Sequence, residues 1–258
     1  VPELASQAVI VTNGDAEGAA REATALARAF WPHRRRIQAD LVPIDTAIAE
    51  AKRMKGPVIF TDAADATSSG ASGDSAKILG ALVEADYPGT VLAPLVDRPA
   101  AEAAHQAGTG ATIDVALGGS LDKRFKPVRL TAEVRMLSDG KAALETSGHA
   151  LDAGPSALLV AGNLTILVMS RAVSLFDRAM FFAHDCDPKH FDLIVVKSPY
   201  CEYQMFDEWS ERNFNVDAPG STSADVAALG HINCRRPMFP IDDDFEFDPV
   251  AETYRRER

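Results

Sequence analysis

Apolar residues fall along this chain in short blocks, alternately continuous and helically spaced, and the blocks predict an alternation of strands and helices. Ala8-Val9-Ile10-Val11-Thr12 is a β-branched run ending at Asn13-Gly14, which predicts a strand meeting a turn. Asp15 stands where a helix cap belongs, and Ala19, Ala23, Leu26, Ala27 and Phe30 recur at helical spacing up to Trp31-Pro32. A second helix is predicted from Ile44 to Met54, opened by Pro43 or capped by Asp45. Pro57 to Thr61 reads as a short buried strand, residues 62–74 as a long polar loop, and Ser75 to Ala85 as a helix. Thr90 to Val96 is another apolar strand, followed by an alanine-rich helix from Arg98 to Ala107. Strands and helices alternating through short connections predict an α/β fold, a mainly parallel sheet flanked by helices.

The middle of the chain changes style. Ala111 to Leu117, Val128 to Leu137 and Ala142 to Thr146 are separated by Gly118-Gly119 and Asp139-Gly140, so an antiparallel β excursion is predicted around residues 111–147. Asp139-Gly140 is read as a hairpin turn. Leu158 to Val160, Thr165 to Ser170 and Leu193 to Val196 return to strands, with a helix expected from Leu175 to Ala183. Residues 1–240 are expected to form one α/β domain and 241–258 a charged, loosely held tail.

Composition narrows the function classes. The 258 residues are 47% hydrophobic and 24% charged, ordinary for a globular chain and enough for a real core. A net charge of −11, with Arg34-Arg35-Arg36 as the one basic cluster before the tail, argues against nucleic acid as a partner. Three cysteines (Cys186, Cys201 and Cys234) with no C-x-x-C pair speak against a disulfide framework and a structural zinc site. The start lacks the pattern of a signal peptide, and the most apolar stretch, Ala157 to Met169, is broken by Gly162-Asn163 and too short to span a bilayer. No membrane partner and a cytoplasmic location are expected. Because the first residue is Val1 rather than Met, a preceding segment is expected in the native product.

The densest candidate chemistry is the crossing from Asp62 to Ser75, placed after a strand and before a helix, where open α/β sheets put ligand sites. It is not a P-loop, since Asp74 rather than Lys follows Gly73, and not a nucleophile elbow, since Asp74 stands where a glycine is required after Ser72. The plainer reading is a loop whose Asp and Ser side chains fold onto their own backbone, with Asp74 capping the next helix. Lys197-Ser198 and Ser170-Arg171 each close an apolar strand; were those strands neighbours, Arg171 and Lys197 would form one positive site, though a solvated lysine fits equally well. His184-Asp185-Cys186-Asp187-Pro188-Lys189-His190 is rich in ligand types, but a histidine spacing of six matches neither a helical pair nor a finger. His105 and Glu102 are read as a surface pair on one helix.

The crossing, standing as Asp62-Ala-Ala-Asp65-Ala66-Thr67-Ser68-Ser69-Gly70-Ala71-Ser72-Gly73-Asp74-Ser75, resembles the D-x-x-D-N-P-G-G-G-A-P-G-D-S/T segment in the C-terminal half of the MlrC (microcystinase C) family of zinc metallopeptidases. Further motifs keep that family's order: Glu102 to Ala111, Asp187-Pro188 with Val195-Val196-Lys197-Ser198, Asp217-Ala-Pro219-Gly220, and Arg236-Pro237 with Pro240-Ile241-Asp242. The departures are Ala66-Thr67-Ser68-Ser69 for Asn-Pro-Gly-Gly, and Cys201-Glu202 for the His-Phe after K-S. The resemblance implies peptide or amide hydrolysis in which Asp62, Asp65, Ser68, Ser69, Gly70, Gly73 and Asp74 line a substrate cleft and Arg171, Lys197 and Ser198 orient the substrate. It implies zinc in the complete protein, held by the family's N-terminal metal-binding domain as partner, with no metal in this chain alone. Strands left exposed without that domain would favour self-association as a homo-oligomer. A non-catalytic binding or regulatory module of the same fold is the alternative, favoured by the departures.

Overall fold

The computed structural model describes residues 5–199 and 203–255. They fall into two units, Val1–Ala39 with Asp225–Arg258, and Asp40–Ala224.

In the first unit, α1 (Ala16–Phe30) starts as its sequence requires: Asp15 accepts a hydrogen bond from the Gly18 N–H at 2.7 Å. Trp31, just past the helix, stacks on Phe247 with ring centroids 4.3 Å apart and also meets Phe239 and Phe245. Arg28 and Arg35 pair with Asp248 and Asp243 at the surface. The strand predicted over residues 8–12 is not formed among the described residues. No neighbouring strand in this unit pairs with it, and Val9 and Val11 are left 74% and 90% exposed.

The second unit is built on a nine-stranded sheet. Its elements are β1 (Val42–Pro43), α2 (Ile44–Ala51), β2 (Val58–Thr61), α3 (Lys77–Glu84), β3 (Val91–Val96), α4 (Arg98–Ala107), β4 (Thr112–Leu117), β5 (Val128–Ser138), β6 (Lys141–Ala143), β7 (Ala150–Asp152), β8 (Ser156–Ala161), β9 (Leu164–Met169), α5 (Ala179–Phe182), β10 (Leu193–Val196) and β11 (Arg212–Asp217). The strand order is β1-β11-β2-β10-β3-β9-β8-β5-β4. The first six are parallel and the last three antiparallel. β2, β3 and β10 are buried at every position, which is why their sequences are unbroken apolar runs rather than alternating ones. One core, with Phe60, Ile78, Leu82, Val195 and Phe214, gathers α2, α3 and α4 on one face. The other, with Ile59, Leu92, Met169, Phe181 and Phe206, covers the opposite face.

The predicted α/β fold is present, and the antiparallel part runs on through β8 and the β8–β9 hairpin. Asp139-Gly140 is a turn, φ +73 at Gly140, but not a hairpin between β5 and β6: β5 pairs with β4 and β8, and β6 with β7. The helix expected from Leu175 shrinks to α5 because Asp177 spends both carboxylate oxygens on backbone N–H groups, of Ala179 and Glu145, and holds the preceding residues in a turn.

Candidate functional site

The crossing from β2 to α3 is built inward. Asp62 leaves β2 with its N–H on the Val196 carbonyl (2.8 Å), and two short 3-10 turns, Ala63–Asp65 and Thr67–Ser69, follow. Asp65 closes the loop on itself: one carboxylate oxygen accepts from the Gly73 N–H (2.8 Å), the other from the Ser75 N–H (2.7 Å). Gly73 has φ +76, and a Cβ there would stand 2.5 Å from Thr67 and 2.7 Å from Val96, so only glycine fits.

Lys197, one residue past β10, reaches under this loop. Its Nζ donates to Asp65 (2.7 Å), Asp62 (3.0 Å) and the Ser75 carbonyl (2.9 Å), filling all three donor positions with the side chain 2% exposed. This fixes what the lysine is: neither a solvated strand end nor a free anchor for a substrate anion, because burial has matched it to two carboxylates of its own domain. Burial disfavours the lysine's charge, yet the two aspartates hold its pKa above the ordinary value. Burial likewise raises the Asp62 carboxyl above the usual range, with Lys197 opposing. Asp62 Oδ1 has no hydrogen-bond partner among the described groups. Beside it, β10 pairs with β3 only as far as Leu92; Pro94 has no N–H to continue the ladder. A cavity of about 10 Å3 opens there, lined by Asp62, Ser75, Pro94 and Lys197 among others, room for about one water.

Asp74 is also turned inward, but it does not cap α3, whose N-cap is Ala76 with no side-chain bond. It accepts from the Leu121 (2.6 Å) and Asp122 (2.9 Å) N–H groups and from the Ser72 hydroxyl, tying the loop after β4 to the crossing. Asp97 does the same from β3, capping α4 through Ala100 and holding the Gly118 N–H at 2.7 Å. Sequence reasoning passed over Asp97, although an Asp ahead of Arg-Pro is a cap signal. It also passed over Thr222, which donates to the Ala63 carbonyl (2.8 Å) and accepts from the Ala66 N–H (3.2 Å). The Asp217-Ala-Pro219-Gly220 motif owes its glycine to this contact: a Cβ on Gly220 would lie 2.0 Å from the Ala64 carbonyl oxygen.

The three carboxylates expected at a cleft, Asp62, Asp65 and Asp74, are buried and engaged with their own domain. What the crossing presents to solvent is its tip, Ser68, Ser69 and Gly70. Ser198 is buried, its N–H turned onto the Val196 carbonyl. Arg171 does not join Lys197, since β3 lies between β9 and β10; it pairs at the surface with Asp152. His105 bonds the Ser156 carbonyl (3.0 Å), while Glu102 takes Arg98 instead. His184 is buried with Nδ1 on the Met180 carbonyl (2.8 Å), and His190 is exposed. Among the described residues no three His, Cys, Asp or Glu side chains converge as metal ligands. The acids that do converge already hold an ammonium group, so the residues here do not fit zinc.

The model of the MlrC C-terminus family matches residues 60–233, two thirds of the sequence. The chain belongs to that family. The matched span opens at Phe60, so the crossing, Lys197 and the Gly220 contact all lie within the MlrC C-terminus region. A curated relative, Microcystinase C of a Sphingomonas species, is 23% identical over 256 residues, covering 97% of this chain and 48% of the relative. A crystal structure of a candidate metallopeptidase from Mesorhizobium sp. BNC1 superposes with a TM-score of 0.78 at 24% identity, over 91% of this chain and 47% of that one. At that identity the likeness concerns the fold. The chain spans about half the length of these relatives. No helix among the described residues is long and apolar enough to cross a membrane. Cys201-Glu202, where the family pattern has His-Phe, lies outside the described residues.

Proposed function

We propose that this chain is the C-terminal part of a metallopeptidase-like hydrolase acting on peptide or small amide substrates, and that it forms one wall of the substrate cleft. The observation that carries this reading is the family match over residues 60–233, which takes in a crossing whose interior is locked by ions and whose Ser68-Ser69-Gly70 tip is turned outward at the C-terminal ends of parallel strands. Zinc, held by residues of an N-terminal domain beyond this chain, would supply a water molecule of lowered pKa. The residues of this chain orient the substrate: the tip offers two hydroxyls and the unhindered backbone of Gly70, and Arg171 offers an exposed cation at the end of β9.

The test uses the protein expressed from its whole reading frame. It should hydrolyse peptide or amide substrates, lose that activity to a chelator, and show a raised KM with unchanged kcat and melting temperature when Ser68 and Ser69 are both changed to Ala. Hydrolysis indifferent to chelation, or no hydrolysis of any such substrate, overturns the reading. One observation favours a non-catalytic binding module instead. Ala66, standing where the family pattern has Asn, is buried with its N–H on Thr222 and brings no side-chain amide to the site. Ligand binding without turnover in the whole-frame protein would establish that alternative.

A further inference from the structure

Residues 8–12 carry a strand pattern that no strand among the described residues completes. Ala8-Val9-Ile10-Val11-Thr12 is apolar on both faces, the composition of a central strand in a parallel sheet, which needs a neighbour on each edge and cover on each face. Here only one face has partial cover, at half-buried Ala8 and Ile10; Val9 and Val11 on the other are 74% and 90% exposed, and no strand among the described residues pairs with the segment. The turn after it is nevertheless fully formed. The Thr12 hydroxyl donates to the Asp15 carbonyl (2.7 Å), Gly14 takes φ +85, and Asp15 caps α1. Strand, tight turn and capped helix in succession make the unit from which parallel crossovers are assembled. α1 is covered only in part, along a half-buried stripe of Ala16, Ala19, Ala20, Ala23, Thr24 and Ala27. Of its fifteen residues only Gly18 is buried, while Leu26 and Phe30 are 51% and 44% exposed.

Two comparisons bear on the missing neighbours. The match to the C-terminus family begins at residue 60, so this strand–helix unit lies outside it. The alignment with Microcystinase C nevertheless covers 97% of this chain, and so reaches into the unit, in a protein about twice as long.

We propose that residues 6–30 are the last strand–helix unit of a second α/β domain, and that residues 8–12 dock into the open edge of a parallel β-sheet contributed by the other half of a longer polypeptide. The proposal rests on the same reading as the proposed function, that a longer protein surrounds this chain, but requires no activity of it. A second copy of this chain is the weaker occupant, because a paired strand from a copy supplies one edge and leaves the exposed face of Val9 and Val11 uncovered.

Hydrogen exchange tests it on two proteins, this 258-residue chain and the product of the whole reading frame. The amides of residues 8–12 should exchange at near the unfolded rate in the first and roughly a hundredfold or more slower in the second. Changing Val9 and Val11 together to Asp should leave the melting temperature of this chain unchanged and lower that of the whole-frame product. Unfolded-rate exchange of residues 8–12 in the whole-frame product overturns the proposal. So does protection in this chain alone that grows with its concentration, which would make a second copy the occupant. Scoring hydrolysis on the same samples separates the two readings. A protected strand without hydrolysis removes the enzyme assignment and keeps the docking, and hydrolysis with an unprotected strand does the reverse.

Discussion

Lys197 and Arg171 occupy matching places: each lies just beyond the C-terminal end of a parallel strand, β10 and β9, two positions apart in the sheet. Their fates are opposite. Lys197 is 1% exposed and donates to three oxygens; the Arg171 side chain is 59% exposed and meets one carboxylate that is 52% exposed itself. The strands do not make the difference. Beside β10 the crossing after β2 folds back and brings Asp62 and Asp65 over the strand end, whereas beside β9 the acid comes from the surface strand β7. A cation at a sheet's edge becomes structural or stays available according to which crossing covers it.

The strongest way to break this comparison is Lys197→Met. Removing the one cation leaves Asp62 and Asp65 facing each other in the interior, and the loss of stability in chemical denaturation should be about 3–5 kcal/mol. A loss below about 1 kcal/mol, the range of surface pairs, would mean that Lys197 is as loosely held as Arg171.

The two partners of Lys197 should then differ from one another. Asp65 uses both oxygens on donors, the Gly73 and Ser75 N–H groups and the ammonium. Asp65→Asn sets an amide N–H against one of those donors and should cost about 3 kcal/mol. Asp62 has one oxygen without a partner and a carboxyl that burial already pushes toward its neutral form. Asp62→Asn should therefore cost about 1 kcal/mol or less. Equal costs in a denaturation series would show that the charge balance, not the hydrogen bonding, decides.

Much of this was legible in the sequence as position and little as direction. The strand ends at Thr61 and Val196, the helix from Arg98 to Ala107 and the cap at Asp15 follow from local chemistry, and the structure has them. The acids of the crossing were visible as a cluster, but whether carboxylates point out or in depends on a lysine 132 residues from Asp65. That pairing arises because β10 inserts between β2 and β3, and no local pattern encodes strand order. β3 in turn separates β9 from β10, so the adjacency on which an Arg171–Lys197 site depended is not formed. Residues 8–12 fail in the other direction: their local pattern says strand, and no strand among the described residues pairs with them.

His184 sharpens the comparison as a buried base without an acid. A carbonyl can only accept, so the contact with Met180 assigns the proton to Nδ1 and leaves Nε2 a bare acceptor with no partner among the described residues. Burial holds its pKa below the ordinary value. The folded chain thus binds fewer protons than the unfolded one once the pH falls below about 6.5, and stability should decline from there down to the folded pKa. His184→Gln keeps a polar group of similar reach and should flatten that acid limb in denaturation curves taken across pH. A limb unchanged in the variant would assign the proton uptake elsewhere.

The smallest effect belongs to Arg171, and there the comparison turns to function. Its pair with Asp152 is exposed on both sides, so Arg171→Ala should change stability by no more than about 0.5 kcal/mol. The same variant in the whole-frame protein should nevertheless raise KM for substrates with a negatively charged end, by up to about fivefold for the loss of one exposed charge contact of ~1 kcal/mol, and leave neutral substrates unaffected. Lys197→Met cannot be read this way, because any effect on turnover would be mixed with unfolding. Arg171 is where the two roles come apart: a cation that contributes little to the fold is one whose loss can be attributed to the ligand. If KM moves equally for charged and neutral substrates, Arg171 is only a surface residue and the end of β9 lies outside the cleft.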